Sequence, residues 1–179
     1  MNRSNKIFKT VFSALFLALA YVLPFLTGQV PEIGSMLCPM HIPVIICGYI
    51  CGGPWGALVG FIAPLLRSLT LGMPPLFPTA VCMALELATY GAVSGVMHRL
   101  LPRKKPYIYF TLVTAMLLGR IVWGASMFTI TTINGGSFGF SAFLAGALTN
   151  AIPGIILQIA FIPLIIMLLE NTKAIKNRL

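Results

Sequence analysis

The chain has 179 residues, of which 58% are hydrophobic and 8% charged, and its mean hydropathy is +0.96. A soluble domain of this length cannot hide so much apolar surface in one core, so the composition excludes an ordinary soluble protein and predicts a membrane protein. The net charge of +9 is concentrated in short basic clusters beside apolar stretches, without interleaved aromatic residues. It therefore indicates membrane topology rather than nucleic-acid binding.

The first apolar stretch, residues 7–26, begins among three basic residues, Arg3, Lys6 and Lys9, and is similar to a signal peptide. It continues well beyond the weak cleavage pattern at residues 18–20. We therefore expect a retained first helix.

The next segment, residues 27–43, is interrupted by prolines and glycines and cannot form a regular helix. The apolar piece after it, residues 41–52, would be about 18 Å long at 1.5 Å per residue, against a hydrocarbon core of about 30 Å. We therefore expect residues 27–43 to fold partly into the membrane as a lid-like loop, protected by other helices.

Four further helices are predicted at about residues 55–71, 77–97, 107–128 and 141–169, which makes a single transmembrane domain over residues 1–179. The last helix should bend because it contains Pro153 and Pro163. Six spans place three basic clusters on one side of the membrane, so the positive-inside rule predicts that both termini are cytoplasmic. The clusters are Arg3, Lys6 and Lys9; residues 98–106; and Lys173, Lys176 and Arg178.

Three charged residues lie inside predicted helices: Arg67, Glu86 and Arg120. A charge at the bilayer centre costs about 2.5–3.5 kcal/mol on insertion scales, so such a residue usually faces a partner or a wet cavity. One interpretation is an ion pair of Glu86 with either arginine that only fixes helix packing. The other is a ligand pocket open to the outside, beneath the 27–43 segment. Neutral polar residues favour the pocket: Thr89 and Tyr90 lie in the same predicted helix as Glu86, and Asn150 and Gln158 lie in the last one.

Two further patterns have ordinary explanations. The four cysteines include no CxxC pair and are expected to be buried thiols rather than metal ligands. Small residues recur at four-residue spacing, which is typical of closely packed membrane helices. These pairs are Ala14/Ala18, Gly56/Gly60, Gly91/Gly95 and Ala142/Gly146.

Several stretches resemble the S components of energy-coupling factor (ECF) vitamin transporters. The likeness covers about residues 10–165, and chain size and topology agree with it. The stretches are GSMLCPMHIPVIICG at 34–48, GFIAPLLRS at 60–68, GMPP at 72–75, ELATYG at 86–91 and PGIILQ at 153–158.

The resemblance implies an all-α protein of six transmembrane helices that binds a vitamin or precursor from outside, under its first loop. It implies association with an EcfT-like membrane coupling subunit and two cytoplasmic ATPases, and toppling in the membrane to deliver the substrate. Ala14 and Ala18 match a small-residue motif that contacts the coupling subunit. No cofactor of its own is expected, since the partner subunits use ATP and the chain has no GxxxxGK[ST] motif.

The candidate substrate-binding residues come from the intramembrane polar groups and from the stretch at 34–48. They are Glu86, Arg67, Arg120, Tyr90, Asn150, Gln158, His41 and Met40. No catalytic residue or metal ligand is predicted.

Two other functions are considered. A membrane enzyme would need a nucleophile with a base, paired carboxylates or metal ligands, which this sequence does not supply convincingly. A stand-alone secondary carrier is disfavoured by the lack of an evident inverted repeat.

The sequence leaves the substrate open. Glu86 could accept hydrogen bonds from a pyridoxine-type or pyrimidine compound, whereas either arginine could bind the carboxylate of pantothenate. With one acid and two bases the charges do not choose, and we favour a vitamin B6 type compound over pantothenate, riboflavin or another vitamin.

Overall fold

The computed structural model describes residues 3–27, 37–102, 104–136, 139–147 and 151–170. Within these ranges the chain is helical and contains no strand, so the protein is an all-α membrane protein. The helices are α1 (Arg3–Val22) with a 3₁₀ extension (Leu23–Thr27), α2 (His41–Cys51), α3 (Gly53–Leu71), α4 (Val81–Leu100) preceded by an irregular turn (Leu76–Ala80), α5 (Lys105–Ile133), α6 (Phe140–Ala147) and α7 (Ile152–Glu170).

Among the described helices, α1, α3, α4, α5 and α7 are long and apolar enough to cross a membrane. Helix α2 is apolar but has only 11 residues, about 16 Å of helix. Ten of those residues are buried, so α2 is a core helix enclosed by its neighbours. The six-span topology stays a prediction, as does the lid-like loop, since residues 28–36 lie outside the described ranges.

Several helices differ in extent from the sequence expectation: α1 covers Arg3–Val22 rather than 7–26, and α4 covers Val81–Leu100 rather than 77–97. Helix α5, predicted over 107–128, continues to Ile133. Threonine hydroxyls do not end it, because a side chain such as that of Thr132 donates to the carbonyl four residues earlier, at 2.8 Å from Phe128 O. The predicted helix 141–169 corresponds to α6 and α7, and residues 148–150 between them are outside the described ranges.

Glycines allow α2, α3 and α4 to pack with their backbones in contact. A Cβ atom on Gly91 of α4 would overlap the backbone of Gly56 in α3, and one on Gly60 would overlap the carbonyl of Leu87. On Gly95 it would overlap the backbone at the junction of α2 and α3. The recurring glycines of α3 and α4 therefore serve close helix packing.

The side chain of Arg99 lies at the C-terminal end of α2. Gly52 has φ +98°, and the guanidinium of Arg99 lies directly over it, where any side chain would collide. Arg99 Nη2 donates to Cys51 O at 3.4 Å. A cation at a helix C-terminus is favourable, because the terminal carbonyls carry partial negative charge.

Candidate substrate-binding site

Glu86, near the middle of α4, is the centre of a buried polar cluster. Its side chain is almost inaccessible, at 1% exposure. Arg120 Nη1 of α5 lies 3.0 Å from Glu86 Oε1, and the hydroxyl of Tyr90 donates to the same oxygen at 3.0 Å. One carboxylate oxygen therefore receives both a guanidinium and a phenol, which is strong solvation for a charge away from water.

His41, the first residue of α2, brings a third helix to this carboxylate. Its Nε2 lies 3.7 Å from Glu86 Oε1, too far for a hydrogen bond, and its ring centroid is 5.2 Å from that of Tyr90. Neither ring nitrogen of His41 has a hydrogen-bond partner among the described residues, and neither does Arg120 Nε. We call His41, Glu86, Tyr90 and Arg120 the Glu86 cluster.

Local sequence explains why these side chains meet. Glu86 and Tyr90 are four residues apart, so they lie on one face of α4. That face packs against α5, where a Cβ on Gly119 would overlap the Tyr90 ring. Gly119 thus leaves the space that the ring occupies, and the next residue, Arg120, reaches the carboxylate.

Cys38 also touches the cluster, although the sequence did not single it out as a site residue. Arg120 Nη2 donates to Cys38 Sγ at 3.9 Å. Cys38 has φ +47°, a backbone conformation uncommon for a residue other than glycine. The only sequence signal for it is its place within the stretch at 34–48 that carries the family resemblance.

Arg67 is buried elsewhere, and the structure does not bring it to Glu86. Its Nη1 donates to Tyr21 O at 3.0 Å, and its guanidinium carbon lies 5.1 Å from the centre of the Phe25 ring. Of the two ion pairs that the sequence allowed for Glu86, the structure contains the one with Arg120.

The other predicted site residues have separate positions. Gln158 of α7 is 1% exposed, and its Oε1 has no hydrogen-bond partner in the described part of the chain. Met40 is buried in the apolar core just before α2. Asn150 lies outside the described residues. Their roles in binding stay predictions, as do those of the Glu86 cluster.

Within the described ranges, no group of three or more His, Cys, Asp or Glu side chains could hold a metal ion. The four cysteines are buried, and none of them forms a disulfide within the described residues. Cys47 Sγ donates to Ser13 Oγ at 3.7 Å, which joins α2 to α1. These thiols contribute to helix packing, as small, weakly polar core residues do.

The comparisons with known proteins assign the family. No curated protein and no solved structure matches the chain. A family model described as "ECF transporter, substrate-specific component" matches residues 8–166, which is most of the chain and includes every member of the Glu86 cluster. The chain belongs to the substrate-specific components of ECF transporters.

Proposed function

We propose that this chain captures a small water-soluble vitamin or precursor from outside the cell, with the Glu86 cluster as its binding site. The observation that carries the proposal is a set of buried nitrogens that have no hydrogen-bond partner among the described residues: His41 Nδ1, His41 Nε2 and Arg120 Nε. A buried polar group without a hydrogen bond is costly, so a ligand that completes these bonds would bind favourably.

A purely structural ion pair accounts for less of the cluster. It explains why Glu86 and Arg120 lie 3.0 Å apart. It does not explain why an imidazole 2% exposed is placed beside them with neither nitrogen hydrogen-bonded to any described residue. Ligand binding explains both features, because the ion pair orients the carboxylate and guanidinium while His41 supplies further bonds.

The partner proposal concerns α1. Ala14 and Ala18 are both on the exposed side of this helix, so their small side chains are available to another helix backbone. We infer that this face contacts a membrane coupling subunit, and that two cytoplasmic ATPases supply the energy with ATP. The chain would act in the cell membrane with both termini cytoplasmic, and residues 27–43 would cover the site.

The substitution Glu86→Gln tests the site, because it keeps the shape of the side chain and removes its charge. Affinity for the ligand, identified by mass spectrometry of material released from the purified, denatured protein, should fall by about 1.5–3 kcal/mol, or roughly ten- to hundredfold. Arg67→Gln is the matched control, since it removes a buried intramembrane charge away from the cluster. Wild-type affinity in a folded Glu86→Gln variant would contradict the proposed site.

Reconstitution separates this function from that of a stand-alone carrier. In liposomes the chain alone should bind its substrate without sustained uptake, and uptake should require the coupling subunit and ATPases. Continued uptake by the chain alone would favour a secondary carrier instead.

A further inference from the structure

We propose that the substrate has no net charge and presents hydroxyl groups, rather than a carboxylate, to the Glu86 cluster. This inference rests on the proposed function and narrows it to a class of compound. It excludes substrates that would be recognised through a free carboxylate or phosphate in this site.

The charge of the site depends on which arginines reach Glu86. The sequence offers one acid and two arginines, but the structure places Arg67 against Tyr21 O and the Phe25 ring. Only Arg120 pairs with Glu86 through a guanidinium, at 3.0 Å. The charges of Glu86 and Arg120 therefore balance one another before any ligand binds.

The site is buried, which limits the charge that a ligand can bring into it. A ligand carboxylate would either compete with Glu86 for Arg120 or bring a second negative charge beside it, in a place with little water. Both arrangements leave a buried charge without full compensation, which is strongly unfavourable. A cationic ligand meets the reverse obstacle, because it would either compete with Arg120 for Glu86 or bring a second positive charge beside Arg120.

Among the described residues, three buried nitrogens of His41 and Arg120 have no hydrogen-bond partner, and they limit which ligand groups can bind. An uncharged imidazole has one N–H donor and one bare acceptor nitrogen, and Arg120 Nε adds a second donor. A hydroxyl both donates and accepts, so hydroxyl groups can satisfy all three atoms. A carboxylate only accepts, so it cannot satisfy an acceptor nitrogen.

Three matched pairs of probes test the inference on the purified full-length chain. In each pair one member is uncharged overall and the other carries an acid: pyridoxine with 4-pyridoxate, panthenol with pantothenate, and riboflavin with its phosphate ester. Calorimetry should find the tightest of the six among the uncharged compounds. Its acidic counterpart should bind about a hundredfold more weakly, as like-charge contact in a buried site predicts.

The same panel on Glu86→Gln separates failure of the inference from failure of the proposed function. If an acidic probe binds most tightly and its binding depends on Glu86, the site is right and the charge inference is overturned. If the tightest probe binds equally well to Glu86→Gln, the proposed site is wrong and the inference falls with it. If none of the six binds, the compound released from the purified, denatured protein and identified by mass spectrometry decides: a compound with a free carboxylate or phosphate overturns the inference, and an uncharged one supports it.

Discussion

Arg120 and Arg67 lie in apolar helices of the same bundle, but the protein accommodates their charges in different ways. Arg120 faces a carboxylate at 3.0 Å, within a cluster built from three helices. Arg67 faces no acid among the described residues; it donates to a main-chain carbonyl in the last turn of α1 and lies over an aromatic ring. A buried guanidinium can thus be stabilised by an opposite charge or by the negative end of a helix together with a π face.

The surroundings of the two arginines suggest different roles. Arg67 joins α3 to the end of α1, and the Tyr21 hydroxyl, 3.1 Å from Thr70 Oγ1, adds a second bond between the same helices. This region has the contacts of a structural clamp. Besides an ion pair, the Glu86 cluster has nitrogens without a hydrogen-bond partner in the described part of the chain, and those are the features expected of a binding site.

The largest effect is expected from Arg120→Gln. This change leaves Glu86 buried without its cation and should destabilise the folded protein by about 3–5 kcal/mol. Adding Glu86→Gln should restore much of the loss, because no buried charge is then left unpaired. Thermal unfolding in detergent without ligand measures both variants. If the double variant were no more stable than the single one, Arg120 would not depend on Glu86 for its stabilising effect.

Arg67→Gln should have a smaller effect, about 1.5–3 kcal/mol, the scale of one hydrogen bond from a charged group. It strands no carboxylate among the described residues, so Glu86→Gln should not rescue it. The same unfolding measurements on Arg67→Gln and Arg67→Gln/Glu86→Gln test this contrast. Rescue of the Arg67 variant by Glu86→Gln would show that the two regions are energetically coupled. It would contradict the conclusion that Arg67 and Arg120 are stabilised independently.

Gly119→Ala should disturb the Glu86 cluster without removing a charge from it. The added methyl group would overlap the Tyr90 ring and move its hydroxyl away from Glu86. Ligand affinity should fall about tenfold, the effect of losing one hydrogen bond of about 1.4 kcal/mol.

Gly124→Ala is the control on the same helix. Its added methyl group would meet the ring of Phe143 in α6 instead of Tyr90. Ligand affinity should then stay close to wild type, even if stability falls. Equal losses of affinity in the two alanine variants would mean that helix packing in general, rather than the position of Tyr90, controls binding.

The smallest effect on folding is expected from Ala14→Leu combined with Ala18→Leu, because both positions are exposed and no packed side chain must move. Stability and ligand affinity should be nearly unchanged. Co-purification with the coupling subunit should be lost, since bulk is added where two helix backbones approach closely. Ala142→Leu, at an exposed position of α6, controls for added bulk, and unchanged co-purification of the α1 variant would remove the partner role from that face.

All four members of the Glu86 cluster were candidate site residues from the sequence, but two residues that contact the cluster were not. Glu86, Tyr90 and Arg120 could be named because charged and polar groups are conspicuous in apolar helices. Cys38 has no such signal, and its contact with Arg120 depends on the chain direction before α2. The space for the Tyr90 ring depends on Gly119, which in sequence looks like any glycine of a membrane helix.

Three properties could be predicted from the sequence alone. They are the all-α membrane fold, the positions of most helices, and the three charged residues within the membrane helices. Those properties follow from local hydropathy and from the cost of charge in hydrocarbon, which neighbouring helices do not alter. The contacts between helices could be found only in the three-dimensional structure: Glu86 pairs with Arg120, Arg67 binds α1, and His41 lies in the cluster. Partner choice depends on the rotation and close approach of whole helices, which the glycine contacts of α2, α3 and α4 set across long separations in the chain.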